Sequence, residues 1–323
     1  MNTFSGSPLE LGLQHGEELR DEIRHVLGWY MDQWWGMEPQ ELQDAVRDHA
    51  RAVLELAPHL GAEMEGIARG AGLEAWQVYA LNARTELRAN TDALECTSVG
   101  VRGGQAAASG ALLAQNWDWW NALRGWTRCV RLEPEAGPAM ITLIEPGMVG
   151  KIGMNALGVG VCLNFLSTPR VNLEGVPVHV LCRLALESST AAQAIQRITQ
   201  ARRAACATYL IGDAGGEVAA VEVTPSAHTV SRDVPFVAAT NTPITGARCM
   251  RRAIFERRLD MSSSPLTPDT ILAALGHLGV SAPPSDALAV ETVHTVLMDL
   301  AARTFLVTDG SRAVAHEELR VTL

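Results

Sequence analysis

The chain has 323 residues, of which 47% are hydrophobic and 19% are charged, and its formal net charge is −10. This composition is typical of a globular protein and argues against a disordered chain. The negative charge argues against nucleic acid or an anionic membrane as the main partner. The sequence also lacks an eighteen-residue apolar run and an N-terminal targeting pattern, so the expected location is cytoplasmic.

The first ninety or so residues are predicted to form helices. Ser7 and Pro8 suit a helix N-terminus, and apolar residues between Leu19 and Tyr30 recur at three- and four-residue steps. A second segment with the same period stops at Pro58, and two short helices follow. A polar, turn-like stretch then leads to Cys96.

From Cys96 onwards the pattern changes to short segments rich in β-branched residues, separated by Gly, Pro and Asn, which predicts strands and hairpins. Helices return after Pro177, two strands follow, and a helix-rich stretch covers roughly residues 246–275. The end of the chain is predicted to form two strands and a tail. Antiparallel strands in two groups with helices on either side predict a layered α+β domain with a helical N-terminal segment.

Several common chemistries lack their motifs. The six cysteines are scattered without a C-x-x-C pair, so neither zinc nor a disulfide framework is indicated. Lys151 is the only lysine, which excludes a phosphate loop and leaves a Schiff-base enzyme with one candidate. There is no G-x-S-x-G, H-E-x-x-H or G-x-G-x-x-G either. No metal or organic cofactor is expected.

The stretches "ECTSVG" and "QNWDWW" raise a different possibility. A cysteine thiol needs a base, and none of the nine histidines stands in a recognisable catalytic context. If the bond between Glu95 and Cys96 is broken, the new α-amine lies beside the Cys96 sulfur and can take its proton. A carboxylate such as Asp118 must then hold the amine, and amide donors such as Asn164 and Asn241 can stabilise an oxyanion.

Each of these residues also has an ordinary structural interpretation. Cys96 can be a buried thiol at the start of a strand. Asp118 can cap a turn, Asn241 can be a turn residue before Thr-Pro, and Asn164 can lie in a Gly-rich hairpin. The tryptophans around Asp118 can belong to the core or to the wall of an apolar acyl pocket.

Taken together, "ECTS", "QNWDW", "GMNALGVGVCLNF" and "ATNTP" resemble the acyl-coenzyme A:6-aminopenicillanic acid acyltransferase family of N-terminal-nucleophile hydrolases. The four motifs come in the family's order behind a helical leader. The chain is similar, more distantly, to penicillin V acylases, bile salt hydrolases and acid ceramidase. The resemblance implies a four-layer αββα sandwich, cut between Glu95 and Cys96 into a leader of residues 1–95 and a catalytic chain of residues 96–323.

The resemblance also implies roles for individual residues. Cys96 is the nucleophile of self-cleavage and of turnover, Asp118 bonds the freed amine, and Asn241 donates its side-chain amide to the oxyanion. Asn164 helps through its backbone or touches the substrate, and Arg303 matches a C-terminal arginine that orients the site. The residues expected to contact substrate are Thr97, Gln115, Trp117 and Trp119.

The chain departs from its relatives at two of these motifs. Gln115 stands where bile salt hydrolases and penicillin V acylases carry arginine, which favours the acyltransferase branch. Thr242 follows Asn241 where that branch often has histidine. The expected activity is hydrolysis of a small N-acyl amine or N-acyl amino acid, because no basic cluster for the phosphates of coenzyme A is evident.

Two alternatives stay open at this point. One is transfer of an acyl group from an acyl-coenzyme A thioester to an amine. The other is an unprocessed, non-enzymatic relative that binds a ligand or partner. The expected partners are the small-molecule substrate and the cleaved leader chain, and the oligomeric state stays open.

Overall fold

The N-terminal part of the chain forms one strand and a set of helices. In a computed structural model of the chain, the structure describes residues 1–88, 96–232, 234–245, 248–262, 265–282, 284, 289–311 and 318–323. The first elements are β1 (Asn2–Gly6), α1 (Pro8–Glu18), α2 (Arg20–Trp29), α3 (Pro39–Leu56), α4 (Pro58–Ala71) and α5 (Ala75–Asn82). A π-helical turn (Tyr30–Trp35) and a 3-10 turn (Glu86–Arg88) complete this part.

The predicted start of the first helix is confirmed. The Ser7 side chain caps α1, Glu10 closes a capping box with it, and Pro8 occupies the first turn. The residues before Ser7 differ from the expectation of a purely helical leader. They form β1, which pairs in parallel with a strand more than a hundred residues later, so local periodicity could not indicate it.

The first of two central sheets has eight strands in the order β1-β4-β5-β6-β7-β8-β9-β10. Apart from β1, its strands are antiparallel to their neighbours. Their bounds are β4 (Arg128–Pro134), β5 (Met140–Ile144), β6 (Ile152–Asn155), β7 (Gly160–Phe165), β8 (Ala207–Gly212), β9 (Val218–Val223) and β10 (His228–Ser231).

The second sheet has six antiparallel strands in the order β11-β2-β3-β12-β13-β14. Both predicted C-terminal strands are present. The predicted tail forms a third strand at the edge of the sheet. The bounds are β2 (Thr97–Val101), β3 (Leu112–Trp120), β11 (Phe236–Thr240), β12 (Val290–Asp299), β13 (Thr304–Asp309) and β14 (Glu318–Thr322).

The two sheets lie face to face, and helices cover their outer faces. β2 and β3 contact β7 and β8 across the gap between the sheets. Helices α6 (Val178–Leu186) and α7 (Ala191–Gln200) cover the first sheet, and α8 (Met250–Asp260) and α9 (Pro268–Leu275) cover the second. The predicted α+β fold with four αββα layers is therefore confirmed, and its central strands β2, β3, β7 and β8 are buried on both faces.

Candidate active site

Cys96 lies at the start of a central strand of the second sheet. It directly precedes β2, which has β11 on one side and β3 on the other. Its side chain is 8% exposed, and its Sγ lies 3.7 Å from the backbone oxygen of Asp118. The thiol is therefore enclosed, but Cys96 stands at the end of a strand, where a new N-terminus could form without interrupting the sheet.

The strand register brings two predicted residues to Cys96. Thr97 pairs with Thr240 of β11 and with Asn116 of β3. One residue further along, Asn241 and Trp117 therefore flank Cys96 on either side. The sequence separation of Asn241 from Cys96 is large, and only the antiparallel pairing of β11 with β2 places them together.

The Cys96 side chain faces the gap between the sheets. Residues two apart in a strand share a face, and Ser98 of β2 donates a hydrogen bond to Oδ1 of Asn164 in β7 of the opposite sheet. Asn164 is fully buried, and its Nδ2 has no hydrogen-bond partner among the residues that the structure describes. A buried amide donor without a partner lowers the stability of the protein. Because no group in the described ranges takes the Asn164 Nδ2 hydrogens, they are available to bind an anionic intermediate.

Asn241 carries a second amide at the site. Its Nδ2 donates a hydrogen bond of 2.6 Å to the backbone oxygen of Phe165, which fixes the orientation of the side chain. An amide nitrogen has two N–H groups, so one donor remains. Asn164 and Asn241 together can supply the two donors that an oxyanion requires.

Asp118 is fully buried and held from two directions. Arg251 of α8 donates from Nη1 to Oδ2 at 2.6 Å, and Thr292 of β12 donates to Oδ1 at 2.5 Å. Thr292 is the register partner of Asp118 between β12 and β3, so the sheet itself positions the hydroxyl. The carboxylate is thereby fixed beside the start of β2, where a freed α-amine would form.

The thiol of Cys96 is protonated in the intact chain. Burial, and then the charge of Asp118, raise the pKa of Cys96 to about 11, against smaller opposing effects of Lys151 and Arg251. A thiol with this pKa is almost entirely uncharged at neutral pH. The intact site therefore needs a base before Cys96 can act as a nucleophile.

Side chains of the leader close the site from one side. Arg84 and Glu145 form a buried ion pair with Nε and Oε2 2.7 Å apart. Tyr30 donates a hydrogen bond to Glu145, and Trp119 donates from Nε1 to the Tyr30 hydroxyl at 3.0 Å. The guanidinium of Arg84 also covers the Trp119 ring, 3.8 Å from its centroid. Trp119, predicted to contact substrate, is thus in contact with the leader in the intact chain.

The remaining predicted residues are placed as follows. Gln115 bonds both backbone groups of Leu163, donating to its oxygen at 2.6 Å and accepting from its nitrogen at 3.0 Å. This gives Gln115 a structural role between the sheets in place of the expected substrate contact. Thr97 and Trp117 are fully buried beside Cys96, and Glu95 lies outside the described residues.

Arg303 is not brought to the site. Arg303 follows β12, and the last residue of β12, Asp299, pairs with Leu112 of β3. Leu112 lies four residues along β3 from Asn116, which pairs with Thr97 at the start of β2. At about 3.3 Å per residue, the end of β12 is therefore roughly 13 Å from the start of β2. Its guanidinium instead binds the backbone oxygens of a turn and a hairpin, Leu300, Ala301, Ala156 and Leu157. The expected orienting role is corrected to a turn-stabilising one.

Two residues at the site were missed from the sequence. Arg251 lies in a basic helical stretch, and nothing in its local pattern indicates that it contacts a residue 133 positions earlier. Lys151, the only lysine, lies with Nζ 3.2 Å from the centroid of the Trp117 ring. Its uniqueness was visible in the sequence, but its position beside Cys96 was not.

Comparison with known proteins shows a similarity to one acyltransferase family. The family model described as acyl-coenzyme A:6-aminopenicillanic acid acyl-transferase matches residues 106–246. The chain is 30% identical over 218 residues to the 40 kDa form of acyl-coenzyme A:6-aminopenicillanic-acid-acyltransferase from Emericella nidulans. The chain is therefore similar to this acyltransferase family over these segments. The similarity covers 66% of the chain, and the chain spans about 60% of that relative's length.

Two solved structures are also similar to this chain. Penicillin V acylase from Agrobacterium tumefaciens has a TM-score of 0.49 and 14% identity, covering 71% of this chain and 86% of its own. A variant of the conjugated bile acid hydrolase from Clostridium perfringens has a TM-score of 0.46 and 13% identity, covering 70% and 92%.

The described part of the chain holds neither a metal site nor a membrane helix. In it, no group of three or more His, Cys, Asp or Glu side chains is arranged to bind a metal ion. Likewise, no described helix combines the length and the apolar character that crossing a bilayer requires.

Proposed function

We propose that the protein is a self-processing cysteine enzyme that cuts the bond between Glu95 and Cys96. The freed Cys96 then hydrolyses a small N-acyl amine or N-acyl amino acid through an acyl-cysteine intermediate. The observation that carries the proposal is the grouping at the start of β2. There Cys96 lies between Asn241 and β3, and its Sγ contacts the backbone oxygen of Asp118, whose buried carboxylate acts on the Cys96 thiol through its charge.

Self-cleavage follows from this grouping and from the chemistry of a thiol. The Cys96 thiolate attacks the Glu95 carbonyl carbon, the C–N bond breaks as the α-nitrogen takes up a proton, and water hydrolyses the resulting thioester. The products are the Glu95 carboxylate, the Cys96 thiol and a free α-amine. Asp118, which Arg251 and Thr292 hold in place, is suited to orient that amine.

Turnover uses the same groups with the amine as base. The α-amine takes the proton of the Cys96 thiol, and the thiolate attacks the substrate carbonyl. Asn164 and Asn241 donate to the developing oxyanion, a type of interaction whose loss costs about 100-fold or more in rate. The amine then protonates the leaving nitrogen, and water releases the acyl group.

The size of a neighbouring cavity favours a small substrate. A cavity of about 180 Å³ opens beside the residues that follow Asn241 and Phe165. Its lining is mostly apolar and includes Leu166, Val223, Pro243 and Thr245. The Glu222 carboxylate accepts backbone hydrogen bonds from Ile244 and Thr245 and so fixes one wall. This volume accommodates an acyl or amine group of a few heavy atoms.

A second candidate function is acyl transfer from a coenzyme A thioester. No basic cluster was evident in the sequence, but the structure groups Arg248 and Arg252 around a surface cavity of about 520 Å³ at the start of α8. Arg251 of the same helix reaches Asp118, and Cys249 accepts a hydrogen bond from Thr240, next to Asn241. Arginines are suited to bind phosphates, so this observation favours an acyl-coenzyme A donor.

Other features fit both enzyme functions. All six cysteines are free thiols, which suits the reducing cytoplasm. The leader is proposed to stay with the catalytic chain as a two-chain enzyme. Hydrolysis needs a small-molecule acyl donor and water, and transfer needs an amine acceptor besides the acyl donor.

Intact mass under denaturing conditions tests the proposal first. Wild-type protein should give two fragments, one of them beginning at Cys96, and Cys96→Ala should stay in one piece. A wild type that stays whole after prolonged incubation would contradict self-processing and favour the non-enzymatic alternative. For the cut enzyme, release of free coenzyme A thiol from acyl-coenzyme A, with and without an amine acceptor, separates transfer from amide hydrolysis.

A further inference from the structure

The loop that carries Lys151 is buried along its whole length. Residues 145–151 connect β5 to β6, and each of them is buried. The leader holds this loop in place: His15 accepts from the Gly147 nitrogen at 3.0 Å, and Asn82 bonds the oxygen of Gly147 and the nitrogen of Val149. The position of Lys151 is therefore set by the leader while the chain is intact.

Lys151 lies on the same side of the second sheet as the Cys96 sulfur. Cys96 stands opposite Trp117, one residue beyond the Thr97–Asn116 pair, and opposed residues of neighbouring strands share a face. The Lys151 Nζ lies 3.2 Å from the centroid of the Trp117 ring and 5.3 Å from that of Trp119. Trp117 thus neighbours both residues, Cys96 through the strand register and Lys151 through its ring.

The surroundings of Lys151 disfavour the charged form of its amine. Within the described ranges, Nζ has no hydrogen-bond acceptor and no carboxylate in ion-pair contact. Burial, and then the positive charge of Arg84, lower the pKa of Lys151 well below its usual range, against a smaller raising effect of Glu145. The titratable groups whose charges reach it are Arg84, Cys96, Glu145, His179, Cys182 and His294.

An amine with a lowered pKa on the same side of the sheet as a protonated thiol answers a need of the intact chain. Before cleavage Cys96 has no α-amine, so the base of the mature enzyme does not yet exist. Charge on Lys151 favours the Cys96 thiolate, and a thiolate on Cys96 favours the charged form of Lys151. Once the proton has moved, the ammonium and the thiolate therefore stabilise each other, which offsets part of the cost of burying both charges.

We propose that Lys151 is the base that activates Cys96 in the intact chain, a residue role that rests on the proposed self-cleavage. The Lys151 Nζ lone pair takes the Cys96 thiol proton, and the thiolate bonds to the Glu95 carbonyl carbon. As the Glu95–Cys96 C–N bond breaks, the Lys151 ammonium returns its proton to the departing α-nitrogen. Water then cleaves the thioester, and the lysine ends as it began.

The test follows self-cleavage of precursor made by cell-free synthesis, with intact mass read at fixed times. Lys151→Met keeps the apolar stem without the base, and Lys151→Arg introduces a permanent cation that cannot accept the proton. Both are expected to slow cleavage at least 100-fold, and methylamine should restore part of the rate to Lys151→Ala. Cleavage of Lys151→Met at the wild-type rate would overturn the proposal.

The pH profile of the wild type gives a second measurement that does not depend on variants folding. If Lys151 is the base, the cleavage rate levels off once its amine is neutral, below the ordinary lysine range. If hydroxide removes the thiol proton directly, the rate rises about tenfold per pH unit towards pH 11; that outcome would overturn the proposal. A wild type that does not cleave at any pH contradicts the proposed function instead.

Discussion

The ion pair between Asp118 and Arg251 links the second sheet to helix α8. Asp118 is fully buried, and the Arg251 side chain is 17% exposed. Arg251 also donates from Nη1 to the backbone oxygen of Val280 at 2.8 Å. The same arginine therefore neutralises a buried charge and fixes the helix against the strand that carries Asp118.

Arg251→Gln is predicted to weaken both folding and turnover. The substitution removes the Arg251 cation from a buried carboxylate, which typically costs about 3 kcal/mol in the free energy of unfolding. A displaced Asp118 no longer orients the new amine, so turnover should fall about 100-fold. Urea unfolding and the rate of substrate hydrolysis measure the two effects. Arg257→Gln, exposed on the same helix, serves as control, and equal behaviour of the two variants would contradict the role of Arg251.

Glu86 lies in the 3-10 turn, and its buried carboxyl group contacts the first residue of helix α6. Its Oε1 accepts the Val178 nitrogen at 2.7 Å, whereas its Oε2 has no hydrogen-bond partner within the part of the chain that the structure describes. Burial raises the pKa of Glu86 to about 7, although the Val178 bond and the charge of Arg84 lower it in part. The native state therefore keeps a proton that the unfolded chain loses near pH 4.5.

This difference predicts a pH-dependent stability. The contribution of the protonated Glu86 is fully present below pH 4.5 and is lost as the pH rises through 7, a change of about 3 kcal/mol. Relative to Glu86→Gln, the wild type should lose that stability over this window, measured by urea unfolding at several pH values. Glu17→Gln, exposed on α1, controls for the substitution. A difference in the free energy of unfolding between wild type and Glu86→Gln that is the same at every pH would contradict the prediction.

The residues of the site were predictable only where a motif carries them. Cys96, Asp118 and Asn241 lie in short motifs, and the structure brings all three to the start of β2. Arg251 and Lys151 reach the site through packing between distant segments. A single sequence holds no local pattern for such contacts, because they depend on how the sheets and helices come together.

Helices α1 and α4 cross so closely that their backbones are in contact. Glycines at the crossing make this possible, because they have no side chain. A Cβ on Gly12 would lie 2.0 Å from the Glu63 oxygen, and one on Gly66 would lie 2.4 Å from the Leu9 oxygen. Any larger residue therefore forces the helices apart. By contrast, a Cβ on Gly28 in α2 meets nothing within 4 Å.

Gly12→Ala is predicted to destabilise the leader and slow self-cleavage. Overpacking of this kind costs about 1–3 kcal/mol. It also moves α1, whose His15 holds the Gly147 nitrogen in the loop before Lys151. Gly28→Ala should instead gain up to about 1 kcal/mol, because alanine is the better helix former. Thermal unfolding and the rate of self-cleavage of both variants test this. A Gly12→Ala variant with the wild-type unfolding midpoint and cleavage rate would contradict the close contact between α1 and α4.

At the scale of elements, periodicity and caps predicted the helices, while pairing over long distances escaped prediction. The Ser7–Pro8 start and the break at Pro58 are local features, and the structure has both. β1 has too few residues for a pattern, and it exists because it pairs with β4. The tail strand β14 likewise depends on the edge that β13 offers.

The leader is part of the core of the whole molecule. It supplies β1 to the first sheet, and one continuous apolar cluster joins Ile23 and Leu60 of the leader to Ile144 and Met154 of that sheet. Its Arg84 pairs with Glu145 in the interior, where both side chains are almost fully buried. Such contacts do not depend on the covalent bond before Cys96.

Residues 96–323 are therefore predicted not to fold without residues 1–95. Alone, they would expose the apolar surface that the leader covers and would leave Glu145 as a buried charge without Arg84. Co-expression of the two pieces should give a stable complex that gel filtration and native mass spectrometry detect, while the catalytic piece alone should aggregate. Arg84→Met in the co-expressed leader should weaken the complex, because it removes the partner of Glu145, whereas Arg47→Met, exposed on α3, should not. A catalytic piece that is monodisperse, folded and active by itself would show that the leader serves only before cleavage.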